Sequence, residues 1–208
     1  MGKTNDRRPI AARDTGWARQ LAAALARSAI TPNQISVASI AFAALGAVML
    51  IWAPLDAGLL LCAACVQLRL LCNLLDGMVA MEGGQQTPTG ALYNEFPDRI
   101  ADSLLIVGLG HAVGQAWLGW LGALLAALTA YVRLAGGSLG LAQDFRGPMA
   151  KQHRMAVLTL ACILAIVEAH VVGSQYALLA AAWIIAAGSL LTCFTRTRAI
   201  ARQLRERG

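Results

Sequence analysis

The sequence predicts an all-α integral membrane protein of about six transmembrane helices, preceded by an amphipathic helix lying in the membrane interface. Three observations carry that expectation. Of 208 residues, 58% are hydrophobic and 13% charged, too few polar side chains to cover a water-facing exterior. The apolar residues fall into runs that match bilayer crossings of roughly 20 residues each. The charged residues gather at the ends of those runs. A large soluble domain is thereby excluded.

The chain divides into a polar N-terminal tail over 1–16, one membrane domain over 17–195 and a basic C-terminal tail over 196–208. The polar start leaves no room for a cleavable signal peptide, so the first apolar helix acts as the insertion signal. From Trp17 to Ile30, the apolar Trp17, Leu21, Ala24 and Leu25 share one helical face with Arg19 and Arg27 outside it, the pattern of an interfacial helix. Thr31 is the expected N-cap of the first span, near 33–53, with Pro32 at its first position. A second span covers about 58–81, turning polar in its last third at Asn73 and Asp76. A third begins near Tyr93 with Glu95, Asp98, Arg99 and Asp102 in its first turns, and three more follow near 116–136, 154–172 and 175–194.

The formal net charge is +6, but its carriers flank apolar helices, which suits anionic membrane lipid and not nucleic acid. The N-terminus, the 82–92 loop with its flanking Arg99, the 139–153 loop and the C-terminus share one side and hold nearly all Lys and Arg, whereas the opposite loops hold none. The positive-inside rule makes this a multi-pass protein of the cell inner (cytoplasmic) membrane with both termini cytoplasmic. The five cysteines all lie in apolar runs and read as small membrane-core residues.

Ionisable side chains inside a span cost about 2.5–3.5 kcal/mol each on insertion scales, so Arg69, Asp76, Asp98, Asp102 and Arg133 need a reason. Asn73 and Asp76 are three apart, and Asn94, Asp98 and Asp102 four apart, so each set occupies one helical face. Two oxygen-rich faces joined by one loop imply a hard-cation site, for magnesium, manganese or calcium. Gly77, Gly83, Gly84 and Gly90 allow close backbone approach by a bulky anion, and Arg133, Lys151 and Arg154 are placed to receive a phosphate or headgroup.

The stretch Asn73-Leu-Leu-Asp76-Gly77-Met-Val-Ala80-Met81, followed after eight residues by Gly90-Ala-Leu-Tyr-Asn94-Glu-Phe-Pro-Asp98, resembles the signature of the CDP-alcohol phosphotransferase family, DxxDGxxAR, eight residues, GxxxDxxxD. Asn73, Asn94 and Met81 depart from it, standing at the first aspartate, the third aspartate and the arginine. The resemblance implies phosphatidyl transfer from CDP-diacylglycerol, or a similar CDP-linked donor, to an alcohol acceptor with CMP release, in phospholipid biosynthesis. It implies Asp98 as the base; Asp76, Asp98, Asn73 and Asn94 as ligands to Mg2+ or Mn2+; Gly77, Ala80 and Gly90 in substrate binding; and a homodimer. Glu95 and Asp102 are positioned to restore the charge lost at the two asparagines, which implies a shifted or single-cation site. The alternatives are a catalytically altered or silent membrane subunit, and a cation-coupled transporter.

Overall fold

The computed structural model describes residues 15–82, 84 and 87–207. The expected polar tail lies outside these but for its last two residues, as does Gly83. Among the described residues there are seven helices and no strand: α1 Gly16–Ala26, α2 Pro32–Trp52, α3 Asp56–Glu82, α4 Gly90–Ala112, α5 Ala116–Ser138, α6 Lys151–Val171 and α7 Tyr176–Arg205.

Five of them, α2, α3, α5, α6 and α7, are long and apolar enough to cross a membrane. Helix α4 equals α5 in length at 23 residues but carries Glu95, Asp98, Arg99 and Asp102 between its second and fourth turns. It packs between α2 and α5, so its place as the sixth span rests on length and packing. The all-α membrane fold is as the sequence predicts.

Helix α2 opens with a reciprocal cap: Gln34 N donates to Thr31 Oγ1 at 3.3 Å and Thr31 N donates to Gln34 Oε1 at 2.9 Å, satisfying two N–H groups the helix leaves unpaired. Helix α1 sits on α3 through Ala18 and Ala22, both fully buried beside Leu74, Leu75 and Met78. Of the apolar stripe, Trp17 is 54% exposed and Leu21 also points outward, the side an interfacial helix turns to lipid, while Leu25 packs against the α1–α3 cluster. Small alanines allow close docking on α3, while the large apolar groups cover the outer face. Residues 196–205 of the basic tail continue α7 as helix. Arg202 and Arg205 end it, where cations meet the negative end of the helix dipole.

The main core lies between α2, α3, α4, α5, α6 and α7, with small residues at the tightest crossings. A Cβ added at Gly110 would stand 2.4 Å from Gly119 Cα, so α4 and α5 meet backbone to backbone. Gly110→Ala should therefore destabilise the bundle by about 1–3 kcal/mol, read as a lowered unfolding temperature in detergent. Gly16→Ala, where nothing lies within 4 Å, should leave that temperature unchanged.

Candidate functional site

Helix α3 ends and α4 begins at the same end of the bundle, where the C-terminal turns of α5 and the first turn of α6 also lie. Together they enclose a cavity of about 380 Å³. Its wall takes Asn73, Asp76 and Gly77 from α3, and Asn94, Glu95 and Asp98 from α4. Facing them are Arg133 of α5, Lys151 and Arg154 of α6, and Arg196 of α7. The two oxygen-bearing faces read from helical spacing thus reach one space. An adjoining cavity of about 310 Å³ shares Asp76, Gly77 and Asn94 and adds Ala80, Gly90, Pro32 and Ser36.

The carboxylates are held in different ways. Asp76, 6% exposed, accepts a hydrogen bond from Ser36 Oγ at 2.6 Å. Asp98 accepts from Lys151 Nζ on Oδ2 at 2.6 Å and from Arg69 on Oδ1 at 3.4 Å, with the Arg99 guanidinium 3.6 Å from Oδ2. Glu95 pairs with Arg133 at 2.5 Å. Arg133 also donates to Gln143, and its guanidinium lies over the Phe145 ring at 5.2 Å, a cation–π contact.

Asp102 does not line this cavity. It lies one turn further along α4, 2% exposed, clamped between Arg69 and Arg154 at 2.6 Å on each oxygen. Arg154 donates in addition to Met149 O at 2.7 Å. Helical spacing puts Asp102 on the face of Asp98, but the structure places it outside the cavity wall, with both its oxygens on buried guanidinium groups. Glu95 pairs with Arg133 through Oε1 alone, and its Oε2 is buried without a hydrogen-bond partner. Among the described residues no group of three His, Cys, Asp or Glu converges as a metal-holding cluster. Asp76 and Asp98 with the amide groups of Asn73 and Asn94 remain as hard oxygen donors, a set that fits one magnesium or manganese ion.

Two further residues of the site lie outside the 73–98 signature. Ser36 sits on α2 as an ordinary hydroxyl in an apolar run. Arg196 donates to Arg146 O at 2.8 Å and to Thr129 O at 2.6 Å, tying the 139–150 loop to α5 and α7. Arg69 did carry a signal, being an arginine inside a span two turns before Asp76.

Bundle and cavity together define a polytopic helical membrane protein with an acidic and basic chamber at one end of the spans. A profile of the family described as CDP-alcohol phosphatidyltransferase matches residues 29–194, and the chain belongs to that family of membrane-bound transferases of phospholipid biosynthesis. It is 36% identical over 110 residues to a bifunctional IPC transferase and DIPP synthase of Rubrobacter xylanophilus, covering 53% of this chain and 22% of that protein. It is 31% identical over 132 residues to the inner membrane protein YnbA of Escherichia coli, covering 63% of this chain and 66% of that one. The chain thus spans about a fifth of the first relative's length and just under two thirds of the second's.

The fold is that of phosphatidylinositol phosphate synthase PgsA1 of Mycobacterium tuberculosis. The structure of that protein with manganese and citrate superposes with a TM-score of 0.74 at 23% identity, covering 88% of each chain. Its structure with CDP-DAG bound gives 0.73 at 22% identity, covering 88% of this chain and 92% of that one.

Proposed function

We propose that this protein transfers the phosphatidyl group of CDP-diacylglycerol, or a closely similar CDP-linked lipid, to an alcohol acceptor and releases CMP. The observation that carries this reading is the junction of two unlike spaces. The polar cavity shares Asn73, Lys151 and Gln152 with an apolar groove of about 500 Å³ lined by Trp17, Leu68, Leu71 and Leu74. A diphosphate joined to acyl chains has this division of chemistry, since each buried methylene favours the groove by about 0.8 kcal/mol while the charged diphosphate needs cationic donors. The CDP-DAG-bound relative of the same fold supports the choice of donor.

Asp98 is the general base in this reading. Its carboxylate takes the proton of the acceptor hydroxyl, whose oxygen attacks the β-phosphorus. The bond from that phosphorus to the bridging oxygen breaks, and the electron pair leaves on CMP. Asp98 lies on α4, an element fixed by packing on both sides, and Arg69 on Oδ1 with Lys151 on Oδ2 orients its carboxylate before substrate arrives. A magnesium or manganese ion held by Asp76, with amide oxygens of Asn73 and Asn94, would supply charge neutralisation on the diphosphate. Arg133, Lys151, Arg154 and Arg196 complete the cationic wall for phosphoryl oxygens, and Gly77, Ala80 and Gly90 leave room for the nucleotide beside Asp76. In this reading the chamber faces the cytoplasm of the inner membrane, with both termini on that side, and the chain works as a homodimer.

The test is purified protein in lipid nanodiscs with CDP-diacylglycerol, divalent ion and a panel of alcohols. CMP release coupled to a new phospholipid is expected with one acceptor class; no CMP with any acceptor contradicts the reading. The groove makes its own prediction. Leu71→Trp should raise KM for a long-chain donor about tenfold by excluding roughly two methylene groups, with little change for a short-chain donor, measured by steady-state CMP release.

A further inference from the structure

Three carboxylates line the polar cavity against five cationic side chains, so the wall carries net positive charge before any metal ion enters. Glu95 is neutralised by Arg133 at 2.5 Å, and Asp98 has a cation on each oxygen, Arg69 at 3.4 Å and Lys151 at 2.6 Å. Asp76 alone has a neutral partner, the Ser36 hydroxyl. Two divalent ions side by side repel four times as strongly as two unit charges at the same distance, and carboxylates must offset that repulsion. This wall lacks them.

The amide at position 73 points the same way. Asn73 Nδ2 is buried with no hydrogen-bond partner, an expensive condition for a donor that an oxygen of an anionic ligand would relieve. Lys151 occupies the first position of α6, and its side chain, 24% exposed, borders both the polar cavity and the apolar groove. The diphosphate of a lipid donor has to lie at that border.

We propose that Lys151 is a built-in second cation: the centre takes one divalent ion on the Asp76 side, and the Lys151 ammonium supplies the positive charge on the Asp98 side. Before the donor binds, that ammonium rests on Asp98 Oδ2. When the diphosphate arrives it offers a doubly charged partner, the ammonium turns to it, and Oδ2 opens to the acceptor hydroxyl. Lys151 thereby couples donor arrival to release of the base. The inference rests on the phosphatidyl-transfer reading and deepens it.

The experiment is a manganese titration followed by electron paramagnetic resonance, on full-length protein in nanodiscs holding CDP-diacylglycerol, with CMP release assayed on the same preparation. The wild type should bind one Mn2+ per chain with an uncoupled spectrum. Lys151→Gln should bind Mn2+ at least about tenfold more tightly, because a positive charge beside the ion is gone, and should show a KM for the donor raised by a similar factor. Lys151→Arg, which keeps the charge, should retain the single tight site and wild-type manganese affinity. Two exchange-coupled ions per wild-type chain, no bound ion, or a Lys151→Gln protein with unchanged manganese affinity and donor KM overturns the proposal. If the wild type releases CMP while binding two ions, phosphatidyl transfer stands and the role of Lys151 falls. If one ion binds and no CMP is released, the transfer reading falls and takes this inference with it.

Discussion

Asp98→Asn should lower CMP release from CDP-diacylglycerol by about 10³-fold, within the range that general-base removal costs, while the protein still folds and inserts. The substitution keeps the shape of the side chain and its acceptor oxygen for Arg69, but an amide cannot take the hydroxyl proton. Arg69 keeps its 2.6 Å bond to Asp102, and Lys151 is partly exposed and can turn to solvent. Unfolding temperature in detergent should therefore stay close to wild type. The measurement is kcat with donor saturating, beside a melting curve on the same preparation; undiminished turnover would remove Asp98 from the role of base.

Asp102→Asn should do the reverse. This carboxylate offsets two guanidinium groups, Arg69 and Arg154, which are 0% and 1% exposed. Taking away one partner of a buried ion pair leaves uncompensated charge and costs about 3–5 kcal/mol. The expected result is a large loss of folded, monodisperse protein and a sharply lowered melting temperature. Asp102→Asn protein with wild-type stability would mean that the Arg69–Asp102–Arg154 array does not hold α3, α4 and α6 together. The two substitutions, one helical turn apart, separate the chemistry of the chamber from its support.

That separation marks the limit of what the sequence discloses. Spacing of three and four residues places Asn73 with Asp76, and Asn94 with Asp98 and Asp102, on common faces, and the structure brings the first four of these to one chamber wall. Spacing carries no depth, however. Asp102 lies a turn further along the same face as Asp98, and only the approach of Arg69 from α3 and Arg154 from α6 decides that it is a structural carboxylate. Ser36 and Arg196 come from α2 and α7, far from the signature in sequence, so their presence at the site is a consequence of packing alone.

Boundaries were legible where local chemistry sets them. Thr31, Pro32 and Gln34 carry their own cap, and the start of α2 follows. Apolar period does not set the end of α7, because residues 196–205 are largely basic and polar; Arg196, at the start of that stretch, bonds the loop carbonyl of Arg146. For α1 the hydrophobic period identifies the apolar face, and packing adds that Ala18 and Ala22 are the residues seated on α3.

The central claim is that the diphosphate of a CDP-linked lipid is cleaved between its two phosphorus atoms in the chamber that α3 and α4 share. The most direct test follows a ³²P label placed on the lipid-side phosphorus of CDP-diacylglycerol during turnover by the purified protein. The label should appear wholly in the phospholipid formed with the acceptor alcohol, with unlabelled CMP released in equal amount and both lost in Asp98→Asn. Label recovered in a released nucleotide, or product formation undiminished in that variant, would contradict the account.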